Sequence, residues 1–127
     1  MLHPKLDKYF AEIEKSIKRI KNCNVELYNE EILGYNRINL KIRVRFEEGS
    51  LFEISEAVIS DEDQLKHLGY RYHFQNKENQ LIFRYDNTPH YPNVETFPNH
   101  KHLPGKVIES VKPFLADVVN EIIVFME

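Results

Sequence analysis

Residues 84–105 read RYDNTPHYPNVETFPNHKHLPG and hold three of the six histidines and four of the six prolines in the chain. Imidazole suits three jobs. Its ordinary pKa of ~6.5 lets it give and take protons near neutrality, so His90, His100 and His102 are candidate general acids and bases. It also ligates metals, and three histidines around one open position would resemble a hydrolytic zinc centre. Or it simply hydrogen-bonds in a loop rich in unpaired backbone groups. The spacing H-x9-H-x-H does not choose among these. Pro89, Pro92, Pro98 and Pro104 each fix φ, so the loop is stiff enough to hold reactive side chains in place. If its end is extended, His100 and His102 point to the same side. His90 meets them if the loop folds back, and Phe97 and Leu103 can anchor it to the core.

Upstream, YRYHFQ and LIFRYD alternate in period two around the turn Asn76–Asn79. Pairing Phe74 with Leu81, Tyr72 with Phe83 and Tyr70 with Tyr85 sets Arg71 directly across from Arg84. Like charges so placed repel. They are tolerated if an anion lies between them, either Asp86 or a phosphate from outside. Glu56 poses a second question. In the hairpin RINLKIRVRF–EEGS–LFEISEAVI, a loop Glu48–Ser50 pairs Phe46 with Phe52, Arg45 with Glu53, and Ile42 with Glu56. A carboxylate on that apolar face sits at a rim, on a bulge, or buried with a partner.

The elements that position these groups form an α+β domain: an N-terminal helix, an antiparallel sheet of about four or five strands, a Pro/His-rich loop and a C-terminal helix. Leu6, Tyr9, Phe10, Ile13, Ile17 and Ile20 make one stripe of a helix over 4–21. Leu115, Val118, Val119, Ile122 and Met126 make the stripe of another that begins near Pro113. Ile38, Leu40, Ile42, Val44 and Phe46 alternate with a basic outer face of Arg37, Lys41, Arg43 and Arg45. NVELYNEEILGY adds a strand with Val25 and Leu27 inward.

A chain of 127 residues, 42% hydrophobic and 29% charged, is one folded domain spanning 1–127. Its single cysteine, Cys23, rules out an internal disulfide and a cysteine-rich zinc site. A net charge of −3 argues against a surface coated in basic residues, though not against a local basic patch. Neither a signal-peptide run nor the ~18 apolar residues of a membrane span is present, so the cytoplasm is the expected compartment and no membrane partner is expected.

EISEAV, YRYHFQ, LIFRYDNTPHYP and TFPNHKHLPG, in that order, resemble the TumE family of toxin components from prokaryotic toxin–antitoxin pairs. The resemblance runs from about Glu53 to the C-terminal helix. It implies a growth-inhibiting protein neutralised by a helix-turn-helix antitoxin, and it is compatible with a homodimer. The residues it carries over are Glu53, Glu56, Tyr70, Arg71, Tyr72, Arg84, Asp86, His90, His100 and His102. With them, the expectation is metal-independent RNA cleavage with no cofactor. His90, His100 and His102 supply base and acid, Arg71 and Arg84 stabilise the crowded phosphate, and Asp86 orients an imidazole or an arginine. Glu56 is grouped with them. Tyr70, Tyr72 and Tyr91 offer faces for bases, while Arg43, Arg45 and Lys101 receive the backbone. Two nearby arginines disfavour a dication, so a metal-dependent hydrolase ranks behind acid/base catalysis. A non-catalytic inhibitor that binds a cellular target is the remaining class.

Overall fold

The computed structural model describes residues 1–127. The elements are α1 (Pro4–Lys18), β1 (Cys23–Ile32), β2 (Arg37–Phe46), β3 (Leu51–Asp61), β4 (Gln64–Gln75), β5 (Leu81–Asp86), β6 (His100–Leu103), β7 (Lys106–Glu109) and α2 (Leu115–Phe125). The strands form one antiparallel sheet in chain order, each paired to the next. The α+β expectation holds, but the sheet has seven strands rather than four or five. The additional strands are β6, at the end of the Pro/His-rich segment, and β7, just after it and paired to β6. The four residues HKHL of β6 are too short a run to show a period. They become a strand by hydrogen-bonding to the free edge of β5.

Both helices cover one face of the sheet. Leu6, Phe10, Ile13 and Ile17 of α1 and Leu115, Val118, Val119 and Ile122 of α2 share one core with Leu40, Ile42, Val44, Phe52, Ile54, Tyr72, Phe74 and Phe83. Pro4 opens α1 without losing a hydrogen bond, and the His3 ring nitrogen Nδ1 accepts from the Lys5 N–H at 3.1 Å. The helix stops at Lys18, before the expected residue 21, and Asn22, at φ 56°, then turns the chain into β1. The last helix begins at Leu115, near Pro113 as expected. In β1 a bulge between Val25 and Leu27 turns Leu27 to the face opposite the helices, beside Arg43, so it is not inward as expected.

Two registers differ from expectation, each by two residues. The β2–β3 connection takes residues 47–50, and it pairs Val44 with Phe52, Arg43 with Glu53 and Leu40 with Glu56. The β4–β5 hairpin pairs Phe74 with Phe83, Tyr72 with Tyr85, His73 with Arg84 and Arg71 with Asp86, with a bulge beside Gln75. Arg71 therefore does not face Arg84. A shift of two leaves every side chain on its expected face and changes only its neighbour. β3 and β4 are also longer than expected. They close over Glu62 and Asp63, whose φ of 50° and 60° fit the two-residue turn that a twisted hairpin prefers. No helix is long and apolar enough to cross a membrane.

Candidate functional site

Cross-strand register builds the site on the sheet face that the helices leave open. One row runs Lys41–Ser55–Arg71–Asp86–His100–Glu109, each residue paired with the next across β2 to β7. The adjacent row runs Arg43–Glu53–His73–Arg84–His102–Val107. With strands about 4.8 Å apart, neighbours in a row are within reach of one another. The expectation that an extended segment would point His100 and His102 to one side is met, because β6 is that segment.

At the β5–β6 step three side chains converge. His100 Nε2 lies 2.9 Å from Asp86 Oδ1, His102 Nε2 lies 3.3 Å from Asp86 Oδ2, and the two imidazole Nε2 atoms are 3.0 Å apart. His100 is 1% exposed and Asp86 4%, and His102 opens the cluster to the surface. The other nitrogen of His100, Nδ1, lies 2.9 Å from the Pro98 carbonyl oxygen, which can only accept, so Nδ1 carries a proton. Asp86 Oδ1 also accepts the Thr88 N–H at 3.0 Å. The Tyr91 ring packs over both imidazoles, its centroid 4.8 Å from His100 and 5.5 Å from His102. Burial holds His102 below the ordinary imidazole range, and His100 and Arg84 push the same way against the pull of Asp86.

His73, which the sequence reading did not put among the candidates, fixes Arg84. Arg84 Nε–H donates to His73 Nδ1 at 3.1 Å, and His73 Nε2–H donates to Gln75 Oε1 at 2.7 Å. Burial lowers the His73 pKa, with Arg84 and Arg71 adding to the effect, so the ring is neutral and able to accept. The signal was present in the alternation, which puts His73 on the same strand face as Arg71. Beside the cluster, two open hollows of about 370 and 400 Å³ share Lys41, Ser55 and Arg71. Arg37 lines the first and Arg43 the second. Arg43 bonds Glu53 at 3.1 Å and Arg45 lies 3.5 Å from Glu26, both in exposed pairs that water competes for.

Several candidates lie elsewhere. Glu56 is on the helix-covered face, buried under α1. It accepts from Tyr9 Oη at 2.7 Å, from Tyr72 Oη, and from His67 Nε2 at 3.0 Å. Of the three options its sequence position left open, it is the buried carboxylate with partners. Burial alone would raise its pKa, but the bonds from His67, Tyr72 and Tyr9 outweigh that and hold it below the usual carboxylate range. His67 reaches Glu56 because the bulge at Ala57/Val58 reverses the parity of β4. Tyr70 and Tyr72, expected as stacking platforms, are 5% and 0% exposed on that same face, so neither offers a base its ring. Of the three tyrosines only Tyr91, at 37%, does. Lys101 points away from the two histidines that flank it. It bonds Glu121 of α2 at 2.8 Å and lies over the Phe83 and Tyr85 rings. His90 does not join His100 and His102, and Asp86 takes the third place expected for it. His90 is exposed and lines a shallow hollow with Tyr91, Pro92 and Val107. Leu103 packs on the core as expected, whereas Phe97 is exposed.

The arrangement thus places Arg71 and Arg84 beside an oriented Asp–His–His centre. A family model described as toxin TumE matches residues 10–127. No curated protein and no solved structure matches the chain.

Proposed function

The chain belongs to the TumE toxin family, and from that premise we propose that it is the growth-inhibiting half of a toxin–antitoxin pair and acts by cleaving RNA on the open face of its sheet. The carrying observation is the register that sets Arg71, Arg84, Asp86, His100 and His102 in two adjacent cross-strand rows on one face. A phosphodiester needs cations for the charge that builds on its oxygens and a polar centre beside them that handles protons. Arg71 and Arg84 are the cations, and a guanidinium can grip two phosphate oxygens at once. The Asp86–His100–His102 centre supplies the reactive group. Tyr91 packs over it and is exposed enough to stack on a flanking base. Arg37, Lys41 and Arg43 extend the basic face along the hollows, where a strand's backbone can lie. The partner is an antitoxin, and a helix-turn-helix protein is the kind we expect.

The test is digestion of cellular RNA by purified, untagged protein, read on a denaturing gel, beside Arg84→Ala and His102→Ala variants of verified fold. Cleavage by the wild type that falls at least about 100-fold in each variant is expected, since one lost transition-state contact costs a factor of that order. Intact RNA after incubation with folded wild type overturns the reading.

A further inference from the structure

We propose that Asp86, His100 and His102 together bind one divalent transition-metal ion of the zinc class. The argument begins with lone pairs. His100 Nδ1 spends its proton on the Pro98 carbonyl, so in the neutral ring Nε2 is a bare acceptor. That acceptor faces a carboxylate oxygen at 2.9 Å and a second imidazole nitrogen at 3.0 Å. A single proton on either ring relieves some of these contacts. Protons on both Nε2 atoms leave two N–H groups 3.0 Å apart. A cation at the centre satisfies all three donors at once.

The dimensions agree. Metal–nitrogen and metal–oxygen bonds of about 2.1 Å place ligand atoms about 3.0 Å apart at right angles and about 3.4 Å apart at the tetrahedral angle. The two Nε2 atoms are 3.0 Å apart, and each lies 2.9 or 3.3 Å from its own oxygen of the Asp86 carboxylate, within about 0.1 Å of that interval, so the carboxylate can ligate through either oxygen or both. The surroundings agree as well. A metal-bound histidine typically donates its second N–H to a carbonyl or carboxylate, and a ligating carboxylate is itself hydrogen-bonded. The Pro98 carbonyl and the Thr88 N–H fill those two roles. Two imidazoles and one carboxylate suit zinc, iron or nickel over magnesium or calcium, which prefer all-oxygen shells. Repulsion from two arginines is weaker than the sequence suggested. Asp86 adds a negative charge at the centre, and Arg84 is turned to His73. Ion binding stands on this geometry alone. The part the ion would play in cleavage, as a Lewis acid on the phosphate or a source of hydroxide, rests on the RNA reading above.

The experiment uses untagged full-length protein stripped with chelator. Titration with Zn²⁺, followed by calorimetry and by elemental analysis after dialysis, should give one ion per chain, with Mg²⁺ giving none. Co²⁺ should produce a visible absorption band from the same site, and His102→Ala, verified as folded by circular dichroism, should lose both the ion and the band. Folded wild type that takes up neither Zn²⁺ nor Co²⁺, or a His102→Ala variant that retains them, overturns the proposal. The two readings fail separately. Folded wild type that takes up no metal yet cleaves RNA sinks the metal and spares the RNA. One bound zinc with intact RNA does the reverse.

Discussion

Glu56 shows how much a single buried carboxylate can depend on its donors. Three donors meet it from two elements: Tyr9 of α1, and His67 and Tyr72 from separate stretches of β4. Replacing the carboxylate by an amide leaves one neutral oxygen for three buried donors and sets an NH2 group among them, which costs far more than the loss of an exposed pair. Glu56→Gln should destabilise the fold by about 3 kcal/mol at neutral pH, measured by urea denaturation. The pH dependence follows from the lowered folded-state pKa. Such a group contributes stability that is fully present above its unfolded value of about 4.3 and is lost as pH falls through the folded value. The gap between wild type and Glu56→Gln should therefore be widest at neutral pH and close as the solution is acidified. A gap that stays constant down to about pH 2 would rule out a linked carboxylate.

At the scale of elements, connections decide which residues become neighbours, and two glycines separate the costs involved. Gly49, in the β2–β3 connection, has φ +110°, and a Cβ there would lie 2.8 Å from Lys77 Cβ in the β4–β5 turn. Gly105 closes the β6–β7 hairpin at φ +76° with nothing within 4 Å of a Cβ. Gly105→Ala should thus cost only the backbone term, about 1–2 kcal/mol. Gly49→Ala carries a comparable backbone term and a steric clash besides, so its urea midpoint should fall further. The reverse order would show that the Lys77 turn yields freely. Because β6 carries both His100 and His102, Gly105→Ala should also speed amide exchange at Lys101 and His102 while leaving α1 unchanged.

Across the whole molecule, basic side chains gather on the open face, with Glu53, Asp86 and Glu109 among them. The chain has a net charge of −3, yet Arg37, Lys41, Arg43, Arg71 and Arg84 share the sheet face that the helices leave open. Local field, not total charge, attracts a polyanion. Membership of a toxin family gives the matching biological expectation. Induced alone in a related host, the protein should arrest growth, and co-expression of its antitoxin should restore it. Arg84→Ala, confirmed to accumulate as folded protein, should relieve the arrest without the antitoxin. Unimpaired growth while folded wild type accumulates would count against toxicity.

The amino-acid order alone determined the faces. Period-two alternation put Arg71, Arg84 and Asp86 on one side of a hairpin and Glu56 on the apolar side of another, and all four are where that alternation puts them. It also determined the two amphipathic helices and the motifs that carry the family resemblance. Neighbours were a different matter. A strand's side-chain period is two, so a register error of two is invisible to hydrophobic pattern, and only turn geometry in three dimensions sets Arg71 beside Asp86 rather than Arg84. A bulge reverses parity at one residue, which is how His67 comes to face Glu56. The strand that brings His100 and His102 to Asp86 exists because the free edge of β5 offers backbone partners to a segment with no period of its own. Contacts between distant stretches of chain are made by packing and edge pairing, and neither leaves a local trace in the order of residues.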